Sequence, residues 1–123
     1  MKVAITAQGP DFDSPLDPRF GRCRYFIIGD PEGGHFESLV NQAATASGGA
    51  GPESAQFLAD KHVEAVITGN VGPNAMRALR MAGIKVYAAG SGTVREALES
   101  YKKGELVALS IATVSSHSGM NRS

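Results

Sequence analysis

Cysteine occurs once in 123 residues, which excludes an intramolecular disulfide framework and makes a reducing cytoplasm the expected compartment. Net charge is also missing: 12 Lys plus Arg face 12 Asp plus Glu. No global field therefore draws in nucleic acid or an anionic membrane, and electrostatic selectivity has to be local. No apolar run approaches the roughly 20 residues of a bilayer span. The start, Met1-Lys2-Val3-Ala4-Ile5, enters a strand at once without a signal-peptide hydrophobic region. Neither a Walker A sequence nor a Gly-x-Gly-x-x-Gly fingerprint occurs, so nucleotide binding is not indicated. His35, His62 and His117 show no metal-ligand spacing.

The length fits one domain, assigned to residues 1–114, followed by a polar tail, 115–123, expected to fray. Val3–Thr6 reads as a buried strand, and a long Gly-, Asp- and Pro-rich loop follows it through Arg22. Tyr25–Ile28 and His35–Val40 form a hairpin around Asp30-Pro31-Glu32-Gly33-Gly34. The pattern then alternates. A helix over Pro52–His62, with His62 on its apolar face, precedes strand Ala65–Thr68. A helix from Pro73, capped at Gly83, precedes strand Ile84–Tyr87. A third helix opens on the capping box Thr93-Val94-Arg95-Glu96 and stops at Gly104. Leu106–Val114 is apolar enough for a strand or a packed coil, and periodicity leaves both open.

A hairpin followed by βαβ units predicts a three-layer α/β domain, with a mixed five-stranded sheet, strand 2 antiparallel, and helices on both faces. The loops after strands one, three, four and five then emerge at one sheet edge, where Cys23 also lies. Three of these loops lead into helix starts: Ser47-Gly48-Gly49-Ala50-Gly51, Gly69-Asn70-Val71-Gly72-Pro73-Asn74 and Gly90-Ser91-Gly92-Thr93. Unpaired N–H groups at helix N-termini suit an anion, and glycines let it approach the backbone. The bland reading is that such glycines make turns and caps.

The richest stretch is Asp17-Pro18-Arg19-Phe20-Gly21-Arg22-Cys23-Arg24-Tyr25-Phe26, which sets three arginines around the only thiol. Cations favour a thiolate, the form that binds metal. Strand alternation nevertheless sends Arg22 and Arg24 to one face and Cys23 to the other. Cys23 is thus either a ligand or a small buried hydrophobe. Arg19 and Arg22 either contact an anion or pair with Asp11, Asp13 or Asp17. Asn70 and Asn74 fit amide donors to a ligand and ordinary turn chemistry alike. Met76, Met81 and Met120 read as packing residues.

Arg19-Phe20-Gly21-Arg22, Gly48-Gly49-Ala50-Gly51 and Thr68-Gly69-Asn70-Val71-Gly72-Pro73-Asn74-Ala75 together resemble the dinitrogenase iron-molybdenum cofactor biosynthesis family over residues 1 to about 106. That family includes NifX- and NafY-like carriers and the C-terminal domain of NifB, and some relatives look like carriers of iron-sulfur or molybdenum-copper-sulfide species. The resemblance implies a ribonuclease H-like fold with strand order 3-2-1-4-5. It also implies non-catalytic binding, carriage or storage of an anionic iron-sulfur or iron-molybdenum-type cluster, or its precursor. Cluster donor and acceptor proteins are the implied partners, with the chain a monomer or weak homodimer. The candidate site comprises Arg19, Phe20, Gly21, Arg22, Gly49, Gly51, Gly69, Asn70, Gly72 and Asn74, with Cys23, the one soft side chain in the segment, as the candidate metal ligand. Nitrogenase-associated members tend to carry histidine where this chain has Arg19. Arginine stays protonated and cannot ligate a metal ordinarily, but it can hydrogen-bond sulfides.

Two rivals stand beside this reading: a metal-independent small-anion or regulatory module, and a metal-dependent nuclease. Val3–Thr6 places no acid on the first strand, which argues against the nuclease.

Overall fold

The computed structural model describes residues 1–113. The tail beyond, with the expectations for Val114, His117, Met120 and fraying, lies outside the described residues. Strand β1 spans Val3–Ala7, β2 Tyr25–Asp30, β3 His35–Val40, β4 Ala65–Thr68, β5 Lys85–Ala88 and β6 Val107–Leu109; the helices are α1 Ala50–Asp60, α2 Pro73–Met81 and α3 Val94–Lys102. They build one mixed sheet of six strands, in the order β3-β2-β1-β4-β5-β6. Five strands were expected, in an order ending at β5. The difference is the open segment after Leu106, where three residues pair antiparallel with β5. Its side chains are largely exposed, so no buried period announces it.

β1 pairs antiparallel with β2 and parallel with β4, and is buried on both faces. A continuous apolar run is what such a central strand requires. The sheet separates two cores. Phe26, Ile28 and Val66 meet α1 and α2 through Leu58, Met76 and Leu79. On the other face Val3, Ile5, Ile27 and Ile67 meet Val94 and Ala97 of α3. Phe26 is fully buried between Phe20 and Phe57, at centroid distances of 6.1 and 5.9 Å.

All three helices end in the same backbone motif, in which the residue after the C-cap is left-handed and two orphan carbonyls are satisfied. Gly83 and Gly104 occupy that position in α2 and α3, at φ of 75° and 73°. In α1 the position is His62, at φ 63°, with Val63 N–H on Leu58 O and His62 N–H on Ala59 O. This corrects the expected helix over Pro52–His62: the helix stops at Asp60 and His62 is exposed rather than on an apolar face. A left-handed residue with a side chain costs about 1–2 kcal/mol. His62→Gly is therefore expected to raise stability by about 1 kcal/mol, after the added freedom of the unfolded chain is deducted. Thermal denaturation should show a midpoint several degrees higher, and an unchanged midpoint would mean that the imidazole makes a compensating contact.

Candidate functional site at the sheet rim

Parallel pairing of β1, β4 and β5 brings their carboxyl ends to one edge, where open α/β sheets place ligands. The loop from Gln8 to Arg24 is tied across this edge by backbone hydrogen bonds. Asp17 N–H donates to Thr6 O, Asn70 N–H to Pro18 O, Phe20 N–H to Asn70 O and Leu16 N–H to Gly92 O. Beneath it, Thr6 Oγ1 lies 2.6 Å from Asp17 O and 2.9 Å from Thr68 Oγ1, all buried. Thr6 is the penultimate residue of β1 and Thr68 the last of β4, and their hydroxyls join the loop to the sheet.

The loop carries the arginines to the surface in different states. Arg19 Nε and Nη2 donate to the two carboxylate oxygens of Asp17 at 3.1 and 3.0 Å, and Arg19 N–H adds a third bond at 3.0 Å. Asp17 is fully buried while the Arg19 side chain is 63% exposed. The hydrogen bond and charge of Asp17 raise the guanidinium pKa further. Arg19 is thus a fixed fork whose charge is partly compensated. Arg22 has no carboxylate partner among the described residues; its Nη1 donates to Ala44 O and Ala46 O at 3.0 and 2.6 Å. Carbonyls orient a guanidinium without cancelling its charge, so Arg22 is the stronger attractor of an anion.

Cys23 lies below this surface. Its side chain is fully buried in the core on the α1 and α2 side. Burial, with the Asp17 carboxylate second, pushes its pKa up from 9.0 to about 12. The thiol is therefore protonated and away from solvent. The flanking arginines do not activate it, because Arg22 and Arg24, in the segment just before β2, are exposed while Cys23 is buried. Phe20 is likewise a core residue, packed on Phe26.

Two residues that the sequence did not single out hold the segment in place. Asn41 is buried; its Nδ2 donates to Cys23 O at 2.9 Å and Gly21 O at 3.1 Å and lies 3.6 Å from Cys23 Sγ. Its Oδ1 accepts from Ala43 N–H at 3.2 Å and Ser54 Oγ at 3.3 Å. A buried amide is tolerable when satisfied in this way. The one available signal was an asparagine immediately after a strand, which becomes the N-cap of a short 3-10 turn at Gln42–Thr45.

The helix starts divide two against one. α1 begins at N-cap Gly49 and α2 at N-cap Gly72, and neither has a side-chain cap. They lie together: a Cβ built on Gly21 would stand 2.9 Å from Gly51 Cα, and one on Gly51 would stand 2.7 Å from Ala75 Cβ. A Cβ built on Gly49 or Gly72 would meet nothing within 4 Å, leaving open approaches to both N-termini. α3 departs from the expectation of three exposed N-termini. Its capping box is complete, and Val94 N–H and Arg95 N–H donate to Ser14 O and Phe12 O. No donor at its start is left for a ligand.

Gly21, Gly51 and Gly69 are thus close-packing positions, Gly69 lying against Pro18. Asn70 fastens the loop through its backbone and bridges to Arg19. Asn74 sits in the first turn of α2 with Oδ1 3.5 Å from Arg77 Nη1. On the α3 side of the crossing loop is a cavity of about 510 Å³, lined by Leu16, Pro18, Gly69, Asn70 and Gly92 among others. Among the described residues no group of three or more His, Cys, Asp or Glu could hold a metal ion. The arrangement offers an anion guanidinium and backbone donors rather than a set of ligating side chains.

Comparison with known proteins gives a consistent picture. Residues 1–104 match the family described as dinitrogenase iron-molybdenum cofactor. An uncharacterized protein of Methanocaldococcus jannaschii is 34% identical over 109 residues, covering 86% of this chain and 89% of its own. The apo form of the orange protein of Desulfovibrio gigas superposes with a TM-score of 0.86 at 39% identity, covering 91% of this chain and 95% of that one. A Thermotoga protein assigned provisionally as NifB superposes with a TM-score of 0.81 at 44% identity, covering 91% and 96%.

Proposed function

Since the chain belongs to the dinitrogenase iron-molybdenum cofactor family, we propose that it binds and carries an anionic metal–sulfur cluster or cluster precursor at the rim, without turning it over. The cargo is a preformed anion, of iron-sulfur or molybdenum-containing type. Arg22 and the forked Arg19 compensate its charge, while backbone N–H groups around Gly49, Gly51, Gly72 and Asn74 hydrogen-bond its sulfides. The observation that carries this reading is the meeting of two uncapped helix N-termini beside Arg22, which no carboxylate neutralises among the described residues, and the exposed, partly compensated Arg19. Helix N-termini and charge-assisted donors both favour an anion. In this reading Cys23 forms part of the floor and does not coordinate the cargo. Transfer between proteins fits a site that holds its cargo by charge and hydrogen bonds, because no metal–ligand bond has to break.

The test is anaerobic reconstitution with iron and sulfide and, in parallel, with tetrathiomolybdate, followed by desalting and metal analysis. A coloured protein with stoichiometric metal is expected. Arg19→Gln/Arg22→Gln should weaken retention at least tenfold, since a charge-assisted hydrogen bond contributes about 1.5–3 kcal/mol. Cys23→Ala should retain cargo like the parent. Colourless wild-type protein under all these conditions would overturn the proposal. The second reading, a metal-independent anion module, is favoured by the burial of Cys23, and saturable phosphate or sulfate binding without cluster uptake would select it.

A further inference from the structure

We propose that the groove along α2 docks an acidic, apolar segment of the protein that exchanges cargo with the rim; this rests on the carrier reading above. The groove lies between α2 and the chain around and after β6. Its first part, about 540 Å³, is lined by Pro73, Met76, Arg77, Arg80, Met81 and Ile111 among others. A second part, about 350 Å³, continues along β5 past Arg80, Ile84, Lys85 and Leu109. Met81 and Ile111 are 84% and 72% exposed, two large apolar side chains facing water on either side of one channel. Paired apolar exposure of this kind marks an interaction surface when the surrounding chemistry specifies a partner.

Charge supplies that specification. The whole chain is neutral, yet from Ala65 to Arg95 there is no Asp or Glu, and from Leu106 onward there is none either. Every element lining the groove is drawn from these two acid-free stretches. Arg77, Arg80 and Lys85 therefore face it without a carboxylate among the described lining residues. Among the described residues Arg77 Nη1 reaches Asn74 Oδ1 and Arg80 Nη1 reaches Ser110 O, each at 3.5 Å, and neither meets a carboxylate. Cations bordering an apolar channel fit a segment with apolar anchors and carboxylates at its margins. Residues 114–123 do not match, since they contain one Arg and no acid. Position links the groove to the site, because it begins at Pro73, the first residue of α2, whose uncapped N-terminus faces the rim. A partner docked here would lie beside the cargo.

The probe is a synthetic amphipathic helix with Leu and Phe on one face and Glu on the other, compared with the same peptide carrying Lys in place of Glu. Both are titrated into the full chain while the methyl resonances of Met81 and Ile111 are followed. The Glu peptide should saturate, shift both methyls and bind at least tenfold more tightly than the Lys peptide. Arg80→Glu/Met81→Gln should weaken it at least tenfold while taking up cluster as the parent does. Equal binding of the two peptides, shifts confined to other faces, or self-association of the chain through α2 that excludes the peptide would each overturn the docking proposal. Peptide binding by protein that takes up no cluster would leave the groove standing and remove the carrier reading, whereas cluster uptake without peptide binding would do the reverse.

Discussion

Gly21→Ala is expected to lower stability by about 3–4 kcal/mol and to weaken cargo retention together with it. Gly21 has φ 96°, where a side chain costs about 1–2 kcal/mol. Its added methyl would stand 2.9 Å from Gly51 Cα, 3.0 Å from Gly51 N and 3.3 Å from Ala50 C. These are backbone atoms in the first turn of α1, so no rotamer change relieves the clash, and overpacking adds about 1–3 kcal/mol. The damage is directional. Gly51 is itself packed on Ala75, so pushing α1 away from Gly21 separates the two uncapped helix starts or moves α2 with them. Gly48→Ala is the control, because its methyl would meet nothing within 4 Å and its φ is not left-handed; it should leave the denaturation midpoint within a degree or two. Gly21→Ala should lower that midpoint by more than about 10 °C, at the several degrees per kcal/mol usual for a domain of this size. Equal midpoints for the two variants would show that the loop yields, and would remove Gly21 as the fixed point of the rim.

Much of this architecture was legible in advance because its signals are local. His35–Val40, Ala65–Thr68, the capping box at Thr93 and the glycine terminators at Gly83 and Gly104 stand where periodicity and end chemistry put them. The misses share a different cause. β6 buries little of itself, so it has no period to read, and it exists because β5 presents a free edge. His62 takes a glycine's place at a helix end, which propensity argues against. At the site, the gathering of the Arg19, Gly51, Asn70 and Gly72 loops followed from topology, but the state of each group did not. Nothing near Thr93 in sequence says that Ser14 and Phe12 will accept the first N–H groups of α3, because those carbonyls arrive from a loop some 80 residues earlier. Asn41 and Ser54 lie 13 residues apart, and neither pattern hints that they meet beneath Gly21. The alternation of Arg22 and Arg24 against Cys23 was legible, but that Cys23 takes the buried side was not.

Alkaline solution should expose the state of that sulfur. The folded protein holds Cys23 up to about 12, above the 9.0 of an unconstrained thiol, so the fold favours the protonated form. This contribution is complete below pH 9 and is lost as pH rises toward the folded value, because only the unfolded chain releases its proton in that window. Stability should fall by up to about 1.4 kcal/mol per pH unit from this group above pH 9. Lysines and tyrosines titrate in the same range, so the quantity to measure is the difference between the parent and Cys23→Ala in urea denaturation at pH 8, 9, 10 and 10.5. The parent should lose more stability than the variant across that interval, by about 1–2 kcal/mol at pH 10.5. Thiol labelling supplies an independent reading. With Sγ fully buried against Asn41, Ellman's reagent should react with the native protein only as fast as the Gly21–Arg24 segment opens, and promptly in urea. Fast labelling of native protein at pH 8, with parallel alkaline profiles for parent and variant, would mean that the thiol reaches the rim in solution. Coordination of the cargo by Cys23 would then return as the better account of the site.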